Sequence, residues 1–165
     1  MKKNKTAFLG MMTCLALIFS YVESLIPIPI PIPGIKLGLA NLLTVILLYA
    51  IGPWEAFAVN VVRVVLSGFL FGSLSAILYS LAGCAVSFLA MAALKKSGRF
   101  SAVGVSIAGG SAHNIGQILV AALVLDSVDL FFYAPVLLIA GEVTGLLIGI
   151  AAGEVLKRIG RGEFS

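Results

Sequence analysis

Charge is scarce in this chain. Of 165 residues only 11% are Asp, Glu, Lys or Arg, while 61% are apolar and the mean hydropathy is +1.15. A soluble globular domain carries about a quarter charged residues, so a water-facing surface over the whole molecule is excluded. Histidine occurs once, at His113, and cysteine twice, at Cys14 and Cys84. A single His with no second His or Cys beside it argues against a zinc site. The cysteines lie in apolar runs and read as small buried residues rather than a disulfide. No GxxxxGK[ST] stretch is present to cradle ATP, and no Ser–His–Asp set can be placed. Asp126-Ser127-Val128-Asp129 is too sparse for a magnesium–diphosphate site and reads as solvated loop acids. The sequence therefore calls for no catalytic residue, no cofactor and no nucleic-acid partner.

What the chain does have is long apolar runs. Six can be marked out, at about 6–22, 37–51, 55–70, 74–94, 102–125 and 134–157, the pattern of an all-α polytopic membrane protein in one integral domain, 1–165. At about 20 residues a span, six helices take about 120 residues and leave about 45 for connections. Between the first two runs lies Ile26-Pro27-Ile28-Pro29-Ile30-Pro31-Ile32-Pro33-Gly34. Alternating proline removes every second N–H, which predicts an extended loop lying on protein or at the membrane surface. Gly52-Pro53 and Gly72-Ser73 mark two further breaks.

The basic residues set the orientation. Lys2, Lys3 and Lys5 precede the first run; Lys95, Lys96 and Arg99 lie between the fourth and fifth; Lys157, Arg158 and Arg161 follow the sixth. With six spans these nine of the 11 share one side, which the positive-inside rule makes the cytoplasm. The expectation is a multi-pass cell-membrane protein with both termini cytoplasmic and the proline loop outside. A cleaved signal peptide is the rival account of the N-terminus, but no A-x-A-like site follows the first run.

Orientation assigns depth to the polar residues. Asn41, Asn60, Arg63, Tyr79, His113, Asn114, Gln117 and Glu142 fall at mid-membrane or in the outer half, while Glu23 and Lys36 bracket the loop. Ionisable groups at such depth are costly and face a cavity or one another. A structural account pairs Arg63 with Glu142; the number of additional amides favours a concave binding site lidded by the loop. Arg63, Lys36 and His113 suit an anionic group, Arg63 having the best fork for carboxylate or phosphate. Glu23 and Glu142 argue against a purely anionic pocket.

Glycine is plentiful, with 18 residues. Gly141, Gly145, Gly149 and Gly153 repeat every four residues on one face of the last run, which predicts close helix packing inside the bundle or, as the lesser alternative, against a partner. Thr6, Gly10 and Cys14 share a face of the first run and read as a candidate partner interface.

These residues resemble the bacterial membrane family labelled heptaprenyl diphosphate synthase component I, also termed the Gx transporter family. The resemblance is carried by Glu23-Ser24, by Pro33-Gly34-Ile35-Lys36-Leu37-Gly38-Leu39-Ala40-Asn41, by Arg63, by Tyr79-Ser80-Leu81-Ala82-Gly83, by Gly109 with His113-Asn114-Ile115-Gly116-Gln117, and by Pro135 with Gly141. That family is similar to the substrate-binding S components of energy-coupling-factor (ECF) transporters. The resemblance implies six helices, an outer pocket covered by the first loop, a transmembrane scaffold subunit as partner and two ATPase subunits behind it. Gly10 and Cys14 stand where S components carry a small-xxx-small face toward the scaffold. The implied ligand is a small molecule, a vitamin, a vitamin precursor or a compound related to isoprenoid quinones. The family's other label implies an accessory role beside a prenyl synthase; the aspartate-rich motifs of such catalysts are absent. A self-sufficient secondary transporter is disfavoured by short spans and no two-half repeat.

Overall fold

The structure, a computed structural model, describes residues 2–25 and 38–159. It contains six α-helices: α1 (Lys2–Leu25), α2 (Leu39–Ala50), α3 (Pro53–Phe71), α4 (Leu74–Ser97), α5 (Ala102–Leu125) and α6 (Ala134–Ile159). A 3₁₀ turn, Val128–Tyr133, leads into α6. Among the described residues there is no strand. Lys36 and the proline stretch lie outside the described residues.

The breaks follow local chemistry. Pro53 stands at the start of α3, where its missing N–H costs nothing. Ser73 and Ser101 cap α4 and α5, each side-chain oxygen accepting from the backbone N–H three residues on, at 3.1 and 3.3 Å. Gly98 (φ 67°) and Asp126 (φ 47°) end α4 and α5 in the left-handed conformation.

Among the described residues, five helices are long and apolar enough to cross a membrane. The fourth and fifth, at 24 residues each, reach about 36 Å. The six expected helices are present among the described residues, with α2 shorter than the apolar run at 37–51. Its 12 residues reach only about 18 Å, against a hydrocarbon core of about 30 Å. Gly38, at φ 75°, turns the chain into this helix from a left-handed conformation, so helix cannot run on backward through it. A short helix is tolerable here because α2 is enclosed by protein: Leu43 to Leu48 are all buried.

Packing runs in a ring, α1, α3, α4, α5, α6, α2, with α5 held most extensively between α4 and α6. Backbone approach explains that grip. A Cβ on Gly145 would sit 2.7 Å from the Ile107 Cα, and one on Gly149 would sit 2.7 Å from the Val103 Cα. Three of the four glycines on α6 therefore pack internally against α5, while Gly153 has nothing within 4 Å.

The two ends of the bundle differ in content. At one end, called basal here, the starts of α1 and α3 are joined by Lys5 and Glu55 at 2.6 Å. There, too, the Lys95 ammonium donates to the Leu48 carbonyl at the close of α2 and lies 5.1 Å from the Tyr49 ring centroid. The apolar core fills this end: Leu47, Leu48, Val59, Phe88, Met91, Val105 and Ala152 belong to one cluster. Glu23, Arg63, Ser67 and Gln117, among the buried polar side chains, lie toward the other end.

Candidate ligand-binding site

On α3 the buried residues are Ala56, Val59, Asn60, Arg63, Val64 and Ser67, a stripe at helical spacing. Asn60 and Arg63, three apart, are neighbours on that stripe. Arg63 is only 7% exposed, and its Nη2 donates to the Asn60 Oδ1. Its Nε is buried with no hydrogen-bond partner among the described residues. An arginine this deep is held by the helix and aimed by the amide behind it.

Three further helices bring polar groups to the same place. The Glu23 carboxylate at the end of α1, 4% exposed, accepts from the backbone N–H of Gly38 at the start of α2. Asn41 follows one turn later on α2. On α5, His113, Asn114 and Gln117 share a face, and Asn114 Nδ2 donates to the Leu137 carbonyl of α6 at 2.5 Å. Gly83 on α4 makes room for this face: a Cβ there would meet His113 Cε1 at 2.8 Å and Gln117 Cγ at 2.9 Å.

Together these side chains enclose a cavity of about 40 Å³. At roughly 10–15 Å³ for each enclosed water, it has room for about three. Its walls include Glu23, Asn41, Arg63, Ser80, His113, Asn114, Gln117 and Thr144, with Gly38, Ala40 and Gly110 between them. The set offers one cation, one carboxylate, an imidazole, three amides and two hydroxyls. That chemistry suits hydrogen bonding and charge neutralisation. Among the described residues no three His, Cys, Asp or Glu side chains gather as a metal would require.

Of the residues singled out in the sequence, six therefore line one cavity: Glu23, Asn41, Arg63, His113, Asn114 and Gln117. Asn60 stands behind them, bonded to Arg63. Tyr79 is buried, but its neighbour Ser80 lines the cavity instead. Glu142 is exposed on α6, beside Ile139, Val143 and Leu146, and is not in the wall. The Arg63–Glu142 pair of the structural account does not form; Asn60 takes its place. Gly10 and Cys14 are exposed on α1, with nothing within 4 Å of a Cβ added at Gly10. Asp126 and Asp129 are exposed at the end of α5 and in the 3₁₀ turn. Thr144 escaped the sequence reading, although it follows Gly141 by three residues and so shares the packed face of α6.

The family model described as heptaprenyl diphosphate synthase component I matches residues 12–155, a stretch that includes every described residue of the cavity wall. No curated protein and no solved structure matches the chain.

Proposed function

Taking the chain as what it is, a member of the heptaprenyl diphosphate synthase component I family, we propose that it is the membrane-embedded substrate-binding subunit of an ECF-type transporter. The observation that carries this reading is the convergence of Glu23, Asn41, Arg63, His113, Asn114 and Gln117 on one cavity of an otherwise apolar bundle. Each polar group at membrane depth is costly, and a set of six from four helices exceeds what packing alone requires. In this reading the subunit captures a small molecule from outside the cell. A transmembrane scaffold then engages the exposed Gly10 and Cys14 face of α1, and two ATPase subunits power the reorientation. The chain itself catalyses nothing and hydrolyses no ATP.

A second reading is favoured by the family's own description: a non-catalytic membrane component working beside a prenyl diphosphate synthase. Both place the protein in the cell membrane with cytoplasmic termini. They separate in one experiment. Native mass spectrometry of the gently purified chain should reveal a bound small molecule that Arg63→Ala releases. Gly10→Leu with Cys14→Leu should then prevent co-purification of a scaffold subunit, because bulk is added where backbones must meet. A ligand-free protein that instead brings down a soluble synthase would overturn the transport reading.

A further inference from the structure

Glu142 lies outside the cavity wall, on the outer surface of α6. Thr144, two residues on, lines the cavity, and two residues turn a helix by about 200°, so Glu142 faces away from it. Gly141 fixes the height: a Cβ there would sit 2.8 Å from the carbonyl oxygen of Gly110, itself a wall residue. The acid is therefore level with the cavity but on the opposite side of the helix. Its neighbours along that face, Ile139, Val143 and Leu146, are all exposed and apolar. We infer that this face of α6 docks a transmembrane helix of a different membrane protein, one that carries a Lys or Arg at the depth of Glu142.

Depth and charge both support the choice. Along the axis of α6, Glu142 lies about 12 Å from Ala134, and Lys157 lies about 22 Å beyond it. The exposed Phe132 and Tyr133 before the helix suit one membrane interface, and Lys157 with Arg158 suits the other. The acid thus stands within a hydrocarbon core about 30 Å thick. Such a group is costly unless it meets a cavity or an opposite charge. Among the described residues neither ion pair involves it, since Lys5–Glu55 and Lys157–Glu154 both lie at the basal end. Arg63, the one described basic side chain away from that end, is 7% exposed and bonded to Asn60. A second copy inserted the same way up would present its exposed basic side chains at the same basal level, so it offers no cation at this depth. The inference holds under either reading of the function, because it concerns a different face from Gly10 and Cys14: α6 packs on α5 and α2, whereas α1 packs on α3 and α2.

A photo-cross-linking residue at Val143 or Leu146, in the full-length tagged chain within its native membrane, provides the test. The expected product is one adduct to another membrane protein, joined through a transmembrane helix that contains a Lys or Arg. Glu142→Lys should cut that adduct by about tenfold or more, because it sets like charges together. Glu142→Gln keeps the size of the side chain, guards against a folding defect, and should reduce the adduct less. Exchanging the partner's basic residue for Glu should restore the adduct to Glu142→Lys. An adduct that both substitutions at Glu142 leave unchanged would overturn the inference. So would an adduct to a second copy, a cross-link only to residues 26–37 of the same chain, or reaction with lipid alone.

Discussion

Arg63 and Glu142 occupy similar depths on neighbouring strips of sequence logic, yet the fold treats them in opposite ways. Arg63 is buried and bonded to Asn60, while Glu142 is turned out from the bundle. Replacing Arg63 with Ala leaves the Asn60 acceptor and the cavity wall incomplete. It should cost about 1–3 kcal/mol of stability and weaken ligand binding about 10- to 150-fold. Glu142→Gln, on an exposed position away from the wall, should change stability by less than about 0.5 kcal/mol and leave binding alone. Thermal unfolding in detergent, paired with native mass spectrometry, reads both; equal damage from the two substitutions would mean that they act as one unit. Depth was legible in the sequence from the alternating topology, but direction was not read from depth. The direction lay in the glycine repeat. Gly141 faces α5, and one residue along a helix turns the side chain by about 100°, which carries Glu142 off the packed face.

At the level of helices, the glycine repeat of α6 gives a graded test. A Cβ at Gly145 would lie 2.7 Å from both the Ile107 Cα and the Ser106 carbonyl oxygen, and backbone cannot step aside as a flexible side chain can. Gly145→Ala should therefore cost about 1–3 kcal/mol. Gly153→Ala meets nothing within 4 Å and should be neutral or stabilise by up to about 1 kcal/mol through helix propensity. Unfolding temperatures of the two variants should move in opposite directions or at least separate clearly; matching losses would refute close α5–α6 packing as the cause. The repeat was readable because four-residue spacing is a helical face whatever surrounds it. The shortness of α2 was harder to see. Apart from Asn41 and Thr44, residues 39–50 are apolar, which marks a buried helix as well as a spanning one. Hydropathy weighs both alike, and only the left-handed Gly38 and the neighbours around Leu43 to Leu48 decide between them. The polar wall sat between these cases. Its members were visible as costly residues in apolar runs, but Thr144 was hidden because a hydroxyl bonding back to Ala140, at 2.9 Å, is ordinary in any helix.

Across the whole molecule, apolar packing and positive charge share one end while the polar cavity lies toward the other. Lys5, Lys95, Lys96, Arg99, Lys157 and Arg158 all lie at the basal end, and Arg63 is the one described basic side chain away from it. Basic residues near helix ends favour the cytoplasmic side during insertion, so the prediction is that the cavity opens outward. The prediction is tested in intact cells with a membrane-impermeant maleimide, in a Cys14→Ser background, Cys84 being buried. Val128→Cys lies on the 3₁₀ turn and is 79% exposed in the wild-type residue, so it should be labelled from outside. Ser97→Cys, at the basal end of α4, should react only after permeabilisation. The reverse pattern would turn the cavity toward the cytoplasm. Capture of an external solute would then be impossible in this conformation, and the accessory reading beside a cytoplasmic prenyl synthase would gain what the transporter reading lost.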